Sequence, residues 1–321
     1  MDILKFFDRL LGRAQLRLFG EEDSLLTFLF HNLFRDETEK DLRLVHSPQG
    51  ITVGDFRRFV EYYLKCGYCF ISVEDVIRGL DSRKQYGLIT FDDGYFSHSL
   101  ALPVLKEYNI PAVFFISTNN VKNNKGFWWD VLYRESLKKG ISYKNILRKE
   151  EELKKKTAED IEDYIMENFG ENAFCPIGDI DRPFTPSELK SFSGQELVFL
   201  GNHTRGHAIL TNYSPEGVYA QIKGAQDAIY EMTGKTPRCI AYPSGEYSPE
   251  VIKISKEIGL KVGITTFSKK NPLPIDTAKN DASMRLGRFI LNGNQDIDAQ
   301  CGRFRMDFSI YYCLKNLLGR H

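Results

Sequence analysis

The sequence predicts an α/β fold with a mainly parallel sheet, built as a barrel or a wound sheet of about seven strands. Three observations predict it. Short apolar segments recur through the 321 residues, each ending near polar residues. Helical patterns separate many of them, which is the alternation a parallel sheet requires. Hydrophobic residues make up 42% of the chain, enough for a sizeable core in one large domain or two smaller ones.

The candidate strands are residues 26–30, 86–91, 112–117, 197–201, 239–242, 262–265 and 288–291. The candidate helices are residues 53–66, 73–80, 98–108, 215–232 and 249–258. The first helix is amphipathic and runs through Cys66-Gly-Tyr-Cys69 into a short strand at 69–72. That spacing suits redox chemistry or zinc, but no second CxxC completes a four-thiolate site, so the pair is read as packing. In either sheet architecture, function gathers at the carboxyl ends of the strands.

Two segments depart from the alternation. Residues 119–184 are charged and helical, centred on "LRKEEELKKKTAEDIEDYIMENF", with lysines and glutamates in blocks as on a solvated face. They read as an inserted helical subdomain, either a lid over substrate or a structural appendage. Residues 1–20 read as an amphipathic helix. Lys5, Arg9, Arg13 and Arg17 share one face, and Ile3, Phe6, Phe7, Leu10 and Leu11 another. Such a helix suits peripheral contact with an anionic membrane, or docking on its own domain or a partner subunit.

Composition excludes some functions. Lys plus Arg (43) balances Asp plus Glu (43), which argues against nucleic acid as the main partner. Six scattered cysteines look like reduced, cytosolic usage rather than a disulfide framework. The N-terminus lacks an uninterrupted apolar core and a small-residue cleavage site, and no run of 18 apolar residues exists. The expectation is a cytoplasmic protein, with the inner membrane surface as a further location. The oligomeric state is left open.

The chemistry sits at the predicted strand ends. The first strand ends "FLFHN", placing His31 there. The second ends "TFDDG", placing Asp92 and Asp93 side by side. Adjacent carboxylates destabilise each other unless a cation or solvent compensates. The fourth strand ends "FLGNHTRGH". If a helix starts after Asn202, His203 and His207 lie on one face and can share a metal. Two imidazoles and one carboxylate leave a fourth position open, as in a catalytic ion site. One aspartate can then bind the ion, and the other can act as a base beside it. The fifth strand ends "AYPSG", a turn on the same rim. His98 is read as a surface or packing histidine on the next helix.

"TFDDG", then "GNHTRGH", then "AYPSG" resembles the polysaccharide deacetylase family, also called the NodB-homology or carbohydrate esterase family 4 domain. The resemblance covers roughly residues 25–291 apart from the insertion, within a domain taken as 21–321. It implies a distorted (β/α)7-type barrel. It implies Asp92 as general base and Asp93, His203 and His207 as metal ligands. The ion it implies is zinc, and ligand softness also permits cobalt, nickel or iron.

Two departures from the family pattern matter. Many members carry an arginine in the third motif, where this chain has Ala241. Many carry a late Leu-x-His, but here only His321 follows His207. A subgroup resembling the poly-N-acetylglucosamine deacetylases lacks both and takes its acid histidine from an N-terminal strand. That resemblance assigns the acid role to His31.

The implied reaction is hydrolysis of the N-acetyl group of a nucleotide-linked, lipid-linked or oligosaccharide sugar in surface-glycan assembly. The Tyr95 N–H is expected to hold the oxyanion. Tyr95 and Tyr242 are expected at the rim. Trp128 and Trp129 are expected either to stack on a sugar ring or to pack, and Asp130 to meet a sugar hydroxyl. The alternatives are a metal-retaining carbohydrate-binding module, or another amide or imide hydrolase on the same fold.

Overall fold

A computed structural model describes residues 20–275 and 281–306. The expected N-terminal helix, Cys313 and His321 lie outside these residues. β1 (Ser24–Phe30) is followed by a small parallel pair, β2 (Leu33–Phe34) and β3 (Ile51–Thr52), with α1 (Glu37–Asp41) between them. Then come α2 (Val53–Lys65), β4 (Cys69–Phe70), α3 (Val73–Arg78), β5 (Tyr86–Phe91), α4 (Leu102–Tyr108) and β6 (Ala112–Ile116). A run of helices intervenes: α5 (Thr118–Asn123), α6 (Trp128–Lys138), α7 (Tyr143–Leu153), α8 (Ala158–Phe169) and α9 (Pro186–Ser193). The alternation resumes with β7 (Val198–Asn202), α10 (Pro215–Thr233), β8 (Cys239–Ala241), α11 (Pro249–Glu257) and β9 (Val262–Ile264). β10 (Asn271–Pro272), β11 (Phe289–Ile290) and α12 (Ile297–Phe304) complete the described chain.

The main sheet runs β10-β1-β5-β6-β7-β8-β9, with β4 beside β5 and β11 beside β1. All its pairings are parallel except β1 with β10. Residues 286–290 form the seam of the curled sheet. Leu286 bridges Ile264 of β9, and three residues later Phe289 pairs with Phe28 of β1. The fold is the α/β barrel-type sheet with helices that the sequence predicts.

The local reasons are visible in each element. Every residue of β1, β5 and β6 is buried, as parallel strands covered on both faces should be. Helix α2 starts at a capping box between Thr52 and Asp55 and buries Phe56, Phe59, Val60 and Tyr63 on one stripe. These rings meet Phe28, Phe30 and Phe91 of the strands. The predicted helix at 98–108 is broken in two. A 3₁₀ segment, Phe96–Ala101, precedes α4, because Pro103 favours a fresh helical start.

Helices α6 to α8 have a core of their own, built from Trp128, Val131, Leu132, Ile146, Leu153, Ile161 and Ile165. Inside it the buried Arg134 pairs with Asp181 at 2.8 Å. The insertion is tied to the sheet at several points. Phe96 N–H donates to the Arg182 carbonyl, and Phe184 N–H to the Gly94 carbonyl. Asn212 donates to the carbonyls of Lys154 and Lys156, and Ala158 N–H to the Tyr213 hydroxyl. Helix α9 instead packs into the sheet core through Leu189 and Phe192. Among the described residues, no helix is long and apolar enough to cross a membrane.

Candidate active site

A cavity of about 290 Å³ opens at the carboxyl ends of the strands. It lies at the lower edge of the ~300–1,000 Å³ range of small-ligand pockets. β1 delivers His31, β5 delivers Asp92 and Asp93, and β7 delivers His203 and His207. Four backbone positions around it are left-handed although none is glycine: Asp93 (φ 83°), Thr204 (φ 62°), His207 (φ 53°) and Ser244 (φ 56°). Such conformations persist only where surrounding contacts hold them, and they cluster at functional sites. Gly94 follows Asp93 at φ 88°, a value that suits only glycine comfortably.

The histidine pair does not lie on a helix. After Asn202 the chain enters a turn, and the left-handed Thr204 and His207 fold it back. Asn202 accepts from the Thr204 N–H, and the Thr204 hydroxyl accepts from the Ala208 N–H. The turn achieves what a helical spacing would have achieved. His203 Nε2 lies 3.4 Å and His207 Nε2 3.5 Å from Asp93 Oδ1.

Those distances test a metal directly. Ligands about 2.0–2.1 Å from a tetrahedral ion lie roughly 3.3–3.4 Å apart. Asp93 Oδ1 is buried and has no hydrogen-bond partner. A buried carboxylate oxygen without a donor is costly unless a cation satisfies it. The His203 Nδ1–H donates to the Ala241 carbonyl at 2.8 Å, leaving the Nε2 lone pair toward Asp93. Asp93, His203 and His207 thus fit a divalent ion.

Burial and neighbouring charges set the ionisation of each donor. Burial raises the cost of charging Asp93, but the surrounding histidines outweigh it and hold its pKa well below the carboxylate range. Burial pushes His207 down to about 3, so it is a neutral imidazole ready to act as a ligand. Burial also disfavours charge on His203, yet Asp92 and Asp93 outweigh it and raise its pKa.

Asp92 is held by a residue from the far end of the chain. Arg288, fully buried at the seam, donates Nη1 to Oδ1 at 2.8 Å and Nη2 to Oδ2 at 2.5 Å. Burial opposes the charge on Asp92, but Arg288 and then His203 overcome it and lower the pKa. Ala241 does stand where an arginine was sought, but the arginine contact comes from residue 288. The one signal in the sequence was a cation opening the apolar segment "RFIL".

His31 is positioned by Gln49, whose Oε1 accepts from both the His31 N–H and Nδ1–H at 2.9 Å. Gln49 Nε2 donates to the Leu29 carbonyl, which fixes the amide orientation and so the imidazole tautomer. Nothing in the sequence marked Gln49.

Of the expected rim residues, Tyr95, Trp128 and Trp129 line the cavity. The Tyr95 hydroxyl donates to Asp130 Oδ2 at 2.7 Å and accepts from Trp129 Nε1 at 2.8 Å. Asp130 also accepts from the His46 N–H and is buried, so no oxygen is presented to a sugar hydroxyl. Burial raises the Asp130 pKa. Tyr242 is not at the rim. It is fully buried among Val251, Ile254 and Leu260, because its position follows the last inward residue of β8. Trp129 packs against His207 with ring centroids 4.6 Å apart. His98 is buried against Phe91 and Phe114, so only the packing half of its expectation applies.

The insertion supplies one cavity wall, through Trp128, Trp129, Glu150 and Lys154. Glu150 bonds Lys154 at 2.8 Å and faces His46 Nδ1 at 3.3 Å, while His46 Nε2 meets the Tyr143 hydroxyl at 3.1 Å.

The family model described as polysaccharide deacetylase matches residues 80–263, more than half of the chain. The chain belongs to the polysaccharide deacetylase family. It is therefore a hydrolase of the sugar N-deacetylase class. No curated protein matches the sequence. Among solved structures, this deacetylase resembles the Streptococcus pyogenes deacetylase PplD in complex with acetate. Identity is 17% and TM-score 0.59, covering 87% of this chain and 96% of that one. It resembles IcaB from Ammonifex degensii at 16% identity and TM-score 0.56, over 89% and 98% of the two chains. It resembles a de-N-acetylase from Aggregatibacter actinomycetemcomitans at 16% identity and TM-score 0.56, over 85% and 97%. At these identities the likeness speaks to fold.

Proposed function

We propose that this deacetylase hydrolyses the N-acetyl group of an N-acetylated sugar with a divalent ion, most naturally zinc, held by Asp93, His203 and His207. One observation carries the reading: a buried, partnerless Asp93 Oδ1 faces two imidazole nitrogens at ligand-to-ligand distance. When bound there, such an ion polarises the acetamide carbonyl and makes water nucleophilic near neutral pH.

The chain's own groups do the rest. Asp92, kept ionised and oriented by Arg288, takes the proton of the attacking water. The Tyr95 N–H, which has no protein acceptor among the described residues, faces the developing oxyanion. His31, oriented by Gln49, protonates the leaving amine through Nε2. The cavity volume and the fixed wall of Trp128 and Trp129 suit one sugar unit of a nucleotide-linked, lipid-linked or oligosaccharide substrate in surface-glycan assembly.

The test is acetate release from a panel of N-acetylated sugars by zinc-loaded protein, beside the apoprotein. Acetate release that depends on the ion supports the reading. Binding of sugar without acetate release, or ring-opening of cyclic imides instead, overturns it.

A further inference from the structure

The turn between α6 and α7 has an unbalanced surface. Residues 137–148 read L-K-K-G-I-S-Y-K-N-I-L-R, with four cations and no carboxylate in a chain of net charge +0. Four apolar side chains are exposed there: Leu137 (38%), Ile141 (37%), Tyr143 (48%) and Leu147 (37%). Their exposure is not a failure of packing, because Ile146 in the same stretch is buried in the insertion core. Tyr143 and Leu147 lie one turn apart on α7, and Lys144 and Arg148 form the adjoining stripe. Lys144 and Arg148 make no ion pair among the described residues, whereas Lys138 is engaged by Glu135.

We propose that this tip is a docking surface for an anionic lipid membrane. Apolar side chains beside unpaired cations, without carboxylates, match a headgroup boundary of negative charge over hydrocarbon. A nucleic acid would use the cations but offer the leucine and isoleucine side chains nothing. The placement also has a consequence for the cavity. Tyr143 bonds His46, and Glu150 and Lys154 at the other end of α7 line the cavity wall. The helix spans about 16 Å at 1.5 Å per residue, so a docked tip holds this wall of the cavity within about that distance of the membrane surface. The surface stands whether or not the deacetylase reading holds, because its readout is binding.

The test is co-sedimentation of the full chain with vesicles of phosphatidylcholine alone or mixed with phosphatidylglycerol. The wild type is expected to bind the anionic vesicles and to lose binding as salt rises. Lys144→Glu with Arg148→Glu, and separately Ile141→Ser with Leu147→Ser, should each weaken binding on the order of tenfold or more. Acetate release from a soluble substrate and the melting temperature should stay unchanged in both variants. No binding, equal binding to the neutral vesicles, or full binding by both variants overturns the proposal. The last result would move the contact to another segment, such as residues 1–20. Competition by an acidic peptide with no vesicle binding would identify a protein partner and also overturn it.

Discussion

Arg288 and Asp92 form a two-pronged, fully buried ion pair across 196 residues of chain. The pair spans the seam of the curled sheet, joining the entry of β11 to the carboxyl end of β5. A planar guanidinium matches a carboxylate with two parallel bonds, which fixes direction as well as charge. Arg288→Ala would leave a buried carboxylate without its counter-charge, and loss of stability by about 3–5 kcal/mol is expected in thermal or denaturant melts. Arg288→Lys keeps the charge and loses the fork. It should fold, retain zinc and KM, and lose kcat by at least tenfold.

Asp92 and the proposed ligand histidines should separate chemistry from ion binding. Asp92→Asn is expected to keep zinc stoichiometry and lose turnover by roughly 10²–10⁴-fold. His203→Ala should lose both, because two donors remain where three met. Zinc content by elemental analysis beside acetate release distinguishes the two, and a fully active Asp92→Asn enzyme would remove Asp92 as the base.

His31 and Gln49 act as a pair. His31→Ala should lower kcat by about 10²–10⁴-fold, the usual worth of a positioned acid. Gln49→Leu removes the Nδ1 acceptor without touching the imidazole. A smaller fall in kcat with folding intact is expected. Equal kcat in wild type and His31→Ala would assign the proton to another group.

The Tyr95 hydroxyl is a strut between the DDG turn and the insertion. Tyr95→Phe leaves Trp129 Nε1 and the buried Asp130 short of a partner. A stability loss of about 1–3 kcal/mol is expected, measured by denaturant titration. The oxyanion contact is assigned to the backbone, so kcat should fall far less than in Asp92→Asn.

Glu150 makes the cavity wall sensitive to acid. Burial disfavours its charge, but His46 and Lys154 outweigh this and lower its pKa to about 2. A carboxylate whose folded pKa lies below its unfolded value stabilises the protein above the unfolded pKa, about 4.3. That contribution, at most roughly 3 kcal/mol, is lost as pH falls toward 2. The melting-temperature gap between wild type and Glu150→Gln should therefore shrink from pH 5 to pH 3. A gap independent of pH would show that Glu150 contributes by packing rather than by charge.

The sequence by itself determined the alternating elements, the carboxyl-end placement of Asp92, Asp93, His203 and His207, and the family. These features are local: apolar runs set strands, and motif residues sit at strand ends whatever the rest of the chain does. The tertiary structure decided the rest. A four-residue spacing could not tell a helix from the turn that Thr204 and His207 make in the left-handed region. A cation opening "RFIL" did not say that Arg288 meets Asp92, because that contact exists only once the sheet curls and brings β11 beside β1. Gln49 reached His31 the same way, through a loop folding over a strand end. Tyr242 and Asp130 sit next to motif and insertion residues in sequence, yet burial takes both away from substrate. Adjacency along the chain is fixed by covalent bonds, whereas the direction a side chain faces is set by packing among residues far apart in sequence.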